Sequence, residues 1–353
     1  MSDIRDVETA KSATLPMTSP SKTELTPCDE ELLRTPCEDV EEVSETELDL
    51  HQLVRDIQTI PRVDLEHIQP ADAPHLVLGH LRPSREAIFT MVEELLTVIF
   101  PGYFGPSEVS EHTTPFYFGT TLDRIMRILQ EQIRRCLCFN EPETDRGRYG
   151  CIKKAKRLTQ AFMKRLPEVR RRLYTDVLAG YVGDPAATST YEVIFCYPGL
   201  LALAYQRAAH ELYKLQIPIL PRLITERAHS LTGIDIHPGA RIDDGLFIDH
   251  GTGVVIGETA TIGKNVRIYQ GVTLGAKSFP LDEHGNPIKG IKRHPNLEDD
   301  VVVYSGATIL GAVTIGQGSV IGGNVWLTSS VPACSYISQS SNRVEMFAGG
   351  AGI

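Results

Sequence analysis

The chain predicts an α+β protein, with an N-terminal all-helical domain followed by a parallel β-helix of hexapeptide repeats. Three observations carry that prediction. An aliphatic residue recurs at every sixth position between Ile236 and Leu327, the 150 or so residues before it show helical apolar spacing, and residues 1–55 show neither pattern.

Residues 1–55 are rich in Ser, Thr, Pro and Glu and poor in aromatics, so they bury too little apolar surface to offset chain ordering. A disordered acidic tail is expected there. From 84 to 230 the apolar residues follow a helical period, as in Ile88, Met91, Val92, Leu95 and Leu96, and again in Leu122, Ile125, Met126 and Leu129. Breaks are expected at Pro101-Gly102, Gly183-Asp184-Pro185 and Tyr197-Pro198-Gly199. One helix should start near Pro198, and another near Pro221 should deliver the chain to the repeats.

The β-helix domain spans 231–335. Its ladder reads Ile236, Ile242, Ile248, then Ile256, Ile262, Ile268, Leu274, and then Leu297, Val303, Ile309, Ile315, Ile321, Leu327. Short flat strands of this kind cannot bury an apolar face alone and must stack on the coil below, three hexads to a coil. An antiparallel sandwich would instead show alternation with irregular loop lengths. Gly follows the aliphatic position at Gly257, Gly263, Gly275, Gly316 and Gly322, where a corner with positive φ is expected. The beat slips by two residues at Asp249-His250-Gly251-Thr252-Gly253 and is interrupted by an excursion over 276–296. Loops of that length inside a compact domain are mostly functional or disordered. Residues 336–353 read as a flexible C-terminal tail.

Composition narrows the function. With 35 Lys and Arg against 45 Asp and Glu the formal charge is −10, which argues against sequence-independent nucleic-acid binding. Seven dispersed cysteines lack the paired spacing of a zinc site and the density of a disulfide scaffold. No apolar run approaches membrane-spanning length and the N-terminus has no signal-type core, so the cytosol is the expected compartment.

Chemistry is expected at the slip. A lone surface histidine is ordinarily just solvated, but His250 stands at a disrupted corner of an apolar scaffold. Asp235, fifteen residues earlier and a little less than one coil away, should lie near the same edge and could fix the imidazole tautomer, leaving the other nitrogen as a base. Asp249, Arg293 and His294, with Asp184 from the helical domain, offer anionic and cationic groups together. That mixture suits a zwitterion, with Arg for a carboxylate and Asp for an ammonium.

The stretches Thr232–Ala240, Phe247–Thr259, Tyr269–Gly275 and Lys292–Pro295 resemble the serine O-acetyltransferase family, as do Asp184–Ala187, Cys196–Gly199 and Ala209–Leu212 upstream. The resemblance is close over about 180–332, looser over 85–180, and leaves 1–80 unexplained. It implies a left-handed β-helix and the transfer of acetyl from acetyl-CoA to L-serine, giving O-acetyl-L-serine for cysteine synthesis. His250 would be the base and Asp235 its partner, with Asp184, Asp249, Arg293 and His294 holding the amino acid. Backbone N–H groups at Gly275 and Ala276 would stabilise the oxyanion, although the family usually has a second Gly where Ala276 stands. Acetyl-CoA, a co-substrate and not a resident cofactor, would lie along Tyr304, Ser305 and Gly306, between adjacent β-helices of a homotrimer or a dimer of trimers. A tail ending in Ile353 would dock into O-acetylserine sulfhydrylase.

Three rivals remain open on the residues alone. A γ-type carbonic anhydrase would use His250, His284 and His294 on zinc, but the spacing departs from that family's pattern, whereas the transferase needs no metal. A non-catalytic scaffold would show no turnover. A related transferase would act on homoserine or a sugar hydroxyl.

Overall fold

The computed structural model of the protein describes residues 82–106, 110, 112–138 and 145–339, of which 145–148 by backbone alone. The expected acidic tail and Ile353 lie outside these residues. Seven helices among the described residues precede the strands: α1 (Arg85–Ile99), α2 (Thr114–Cys138), α3 (Asp145–Met163), α4 (Leu166–Gly183), α5 (Thr190–Cys196), α6 (Pro198–Lys214) and α7 (Leu220–Thr232).

Local chemistry explains their ends. Ser84 caps α1 by accepting from the Ala87 N–H, and Ser189 caps α5 by accepting from Glu192 N–H. Glu192 reaches back to the Thr188 N–H and hydroxyl, closing a reciprocal cap. Gly233, at φ +69°, ends α7 in the left-handed region and turns the chain into the first strand. The five apolar residues that set the period of α1 are all buried, whereas in α2 Ile125 and Leu129 are buried and Met126 is exposed.

The repeats form coils of three short strands. The first holds β1 (Asp235–Ile236), β2 (Arg241–Ile242) and β3 (Phe247–Ile248), and the second β4 (Val255–Ile256), β5 (Thr261–Ile262) and β6 (Arg267–Ile268). The third holds β7 (Thr273–Gly275), β8 (Asn296–Leu297) and β9 (Val302–Val303). The fourth holds β10 (Thr308–Leu310), β11 (Thr314–Ile315) and β12 (Val320–Ile321). β13 (Trp326–Leu327) and β14 (Tyr336–Ile337) close the stack, so the coils run one strand into the segment expected to be tail.

Three parallel sheets result, and they are the faces of a prism. Face 1 is β1-β4-β7-β10-β13, face 2 is β2-β5-β8-β11 and face 3 is β3-β6-β9-β12-β14. All thirteen ladder positions are buried, and burying each such side chain contributes about 1.5–3 kcal/mol.

One expectation is corrected here. The glycines that follow the aliphatic positions do not have positive φ. They are needed for space, since a Cβ at Gly263 would stand 2.4 Å from the Asp299 carboxylate and one at Gly316 would stand 2.3 Å from the Ala333 nitrogen. The left-handed corner residues come two positions later, as at Asn265 and Gly318.

Candidate active site

The slip lies where face 3 turns into face 1. Coil 1 is two residues longer than coil 2, since Ile236 pairs with Ile256 but Ile256 pairs with Leu274. The extra residues form a tight turn in which the Gly251 N–H donates to Asp249 O at 2.6 Å. His250, at the centre of that turn, has φ +56°. A left-handed non-glycine costs on the order of 1–3 kcal/mol and persists only where the surroundings impose it. The next position requires glycine, because φ at Gly251 is +81° and a Cβ there would meet Ile234 Cδ1 at 2.4 Å. The imidazole is left 71% exposed, with its Nδ1 3.9 Å from the Asp249 carboxylate.

The helical domain buttresses this edge. Gly199 lets the first turn of α6 press on β3, where a Cβ would stand 2.2 Å from Ile248 O. Asp184, which caps the C-terminus of α4, accepts from the Ala186 N–H at Oδ1 and from the Tyr197 hydroxyl at Oδ2. The Tyr197 bond, the Ala186 bond and the nearby His250 together hold the Asp184 carboxyl below the usual carboxylate range. Asp184, Asp249 and His250 therefore share one edge. Tyr304, Ser305 and Gly306 lie further along it: Asp249, Tyr269 and Tyr304 follow Ile248, Ile268 and Val303, which stack in register. The Tyr269 and Tyr304 rings lie parallel, 5.1 Å apart.

The other expected residues collect where face 1 turns into face 2. Gly275 ends β7 there, and the excursion leaves through Ala276 and returns through Arg293 and His294. Arg293 Nη2 meets Glu258 at 2.5 Å, and Glu258 also accepts from the Tyr213 hydroxyl at 2.9 Å. Burial pushes the Glu258 carboxyl up, but these donors outweigh it and hold it low. His294 is buried, and its Nδ1 accepts from the Thr259 N–H at 3.1 Å, so the neutral ring carries its proton on Nε2. The Thr259 hydroxyl oxygen accepts from the backbone N–H groups of Arg293 and His294, which sets the loop's return.

The two edges are separate. Six residues per face at about 3.3 Å each put them roughly 15–20 Å apart, too far for one small amino acid to bridge. Arg293, His294, Gly275 and Ala276 thus do not join His250 within the chain, contrary to the single region that the sequence suggested. Asp235 lies on face 1 opposite Val255, and its carboxylate pairs with Arg222 of α7 at 3.6 Å. No hydrogen bond or ion pair joins it to His250 among the described residues. His284 sits on the exposed hairpin of the excursion, apart from both other histidines, and no cluster of three His, Cys, Asp or Glu that could hold a metal occurs among the described residues.

Sequence reasoning passed over Tyr197, Glu258 and Thr259, although all three stand inside the stretches that carried the resemblance. No helix among the described residues is long and apolar enough to cross a membrane.

His294 carries a pH signature. Burial, with help from Arg293 and Lys292, pushes its pKa down to about 4, below the ordinary value of about 6.5. A depressed folded pKa contributes stability that is present above the unfolded value and lost as pH falls through the folded one. Lowering pH from 7 to 4.5 should therefore cost on the order of 2–3 kcal/mol through this residue. Denaturant titrations across that window should show a shallower loss for His294→Gln, and parallel curves would exclude the assignment.

No family model matches the chain. It is 55% identical over 288 residues to a plasmid-encoded serine acetyltransferase of Synechococcus elongatus, covering 79% of this chain and 90% of that one. A serine acetyltransferase of Bacillus subtilis is 45% identical over 174 residues, covering 49% of this chain and 76% of that one. The crystal structure of Entamoeba histolytica serine acetyltransferase 1 in complex with L-cysteine is 33% identical with a TM-score of 0.62, covering 82% of this chain and 96% of that one. Helices followed by parallel hexapeptide coils match that structure's fold, and the left-handed β-helix stands. On this similarity the chain belongs to the serine acetyltransferase family, acyltransferases that acetylate the hydroxyl of serine for cysteine synthesis.

Proposed function

We propose that the chain transfers acetyl from acetyl-CoA to L-serine by direct attack, with His250 as general base. The observation that carries this reading is the left-handed His250, exposed at the two-residue slip with Asp184 and Asp249 on the same edge. The imidazole takes the hydroxyl proton as serine Oγ bonds to the thioester carbonyl carbon. The tetrahedral oxyanion then collapses, the C–S bond breaks, and the imidazolium returns the proton to the CoA thiolate. Backbone N–H groups at Gly275 and Ala276 stabilise the oxyanion, and the Ala276 N–H donates to no acceptor among the described residues.

Asp184 and Asp249 hold the substrate ammonium, and Arg293 and the His294 Nε2–H receive its carboxylate. Because these groups sit on two edges of one prism, the site closes when the His250 edge of one copy meets the Arg293 edge of the next. A closed threefold ring satisfies every edge, which supports a homotrimer, alone or paired as a dimer of trimers. Asp235, on face 1 between the two edges, would orient His250 across that interface. Acetyl-CoA runs between copies along Tyr304, Ser305 and Gly306. Ile353 docks into O-acetylserine sulfhydrylase, and the enzyme works in the cytoplasm.

The test is thiol release from acetyl-CoA with L-serine, L-homoserine and hexoses as acceptors. Serine should give the highest kcat/KM, and preference for homoserine or a hexose would refute the substrate reading.

A further inference from the structure

We propose that Tyr197 is a positioning residue for the substrate's amino group, its hydroxyl holding Asp184 as an oriented acceptor beside His250. The inference rests on Asp184 as the ammonium site and adds what makes it one. Tyr197 stands between α5 and α6, thirteen residues from Asp184, with its ring 6.4 Å from Phe247 on β3. Its hydroxyl donates to Asp184 Oδ2 at 2.5 Å while the Ala186 N–H donates to Oδ1 at 2.8 Å. One bond to each oxygen fixes the plane of the carboxylate and leaves a lone pair on each for a ligand.

The surroundings explain why such a clamp is needed. Glu192 of α5 and Asp249 of the slip bring like charge toward Asp184 and Tyr197, opposed by His250 and by Arg267, whose guanidinium lies beside Gly183. Clustered carboxylates disfavour one another's ionisation, and hydrogen bonds to the charged form restore it. Burial and the Asp184 charge raise the Tyr197 phenol well above its ordinary value, so it remains a donor throughout the working range. Asp184 then faces the substrate as an anion, which selects an amino acid over the corresponding hydroxy acid.

The experiment is Tyr197→Phe, Asp184→Asn and the double variant, with kinetics for serine and inhibition by 3-hydroxypropionate, which has the carbon chain of serine without the amine. Hydrogen bonds to charged groups are worth enough for an effect of about tenfold or more. Tyr197→Phe should raise the serine KM by about that factor with kcat little changed. The Ki of 3-hydroxypropionate should stay as in the parent enzyme, which also shows that the site is folded. Tyr197→Phe should add nothing to Asp184→Asn. A fall in kcat at constant KM, an equal loss for 3-hydroxypropionate, or additive effects would overturn the proposal. If Asp184→Asn leaves the serine KM unchanged, the ammonium-site reading itself fails. If Asp184→Asn raises it and Tyr197→Phe does not, only the role of Tyr197 fails.

Discussion

Replacing His250 with alanine should lower kcat for serine acetylation by about 10²–10⁴, the contribution of a positioned general base. The effect should fall on kcat, because serine is held by Asp184, Asp249, Arg293 and His294 and not by the imidazole. Stability separates this role from a structural one. The side chain is 71% exposed, so removing it uncovers no core. Its backbone, at φ +56°, is one that alanine adopts only under strain and glycine adopts freely. His250→Gly should therefore be more stable than His250→Ala by roughly 1 kcal/mol while being equally inactive. Steady-state kinetics and thermal midpoints at one protein concentration decide the matter. Turnover that survives both substitutions would refute His250 as the base, and a glycine variant less stable than the alanine one would refute the strained turn.

The slip was legible because a six-residue period makes any insertion visible, and the structure turns those two residues into the left-handed corner at His250 and Gly251. The placement of residues on edges was harder to see. Asp235 looked nearly one coil from His250, but the slip lengthens that coil to twenty residues, and the partner of Asp235 is Val255. Arg293 and His294 return from an excursion that hides their phase, so their place on the face 1–face 2 edge could not be counted from the ladder. Contacts between the helices and the coils had no period at all. Tyr213 meets Glu258 across 45 residues and Arg207 meets the Ile242 carbonyl across 35, and nothing in either stretch announces the other. Periodicity thus exposes the scaffold, while the side chains that aim its site depend on packing between elements of unlike period.

The largest stability effect is expected at the buried pair Asp176–Arg207, which ties the helices to the first coil. Arg207 donates to both Asp176 oxygens at 2.6 and 2.7 Å, and both side chains are almost wholly buried. Arg207→Met leaves a buried carboxylate without its partner, a change that costs about 3–5 kcal/mol. Replacing both members of a buried pair with apolar residues is often neutral or stabilising, but that relief should not occur here. Arg207 also donates to the carbonyls of Ile242 and Asp243, and Asp176 accepts from the Leu246 N–H. The Ile242 carbonyl keeps a second donor in Arg172, but the Asp243 carbonyl and the Leu246 N–H, in the turn between β2 and β3, have no other partner among the described residues, and each one left unsatisfied costs about 1–3 kcal/mol. Asp176→Leu with Arg207→Met should remain destabilised by at least about 2 kcal/mol. That turn feeds β3 and, directly after it, Asp249 and His250, so kcat should fall in the double variant at temperatures where it remains folded. Urea denaturation at matched protein concentration, alongside kinetics, tests both parts. A double variant as stable as the parent would show that the pair serves only itself, and one that is destabilised but fully active would show that the clamp holds the fold without aiming the histidine.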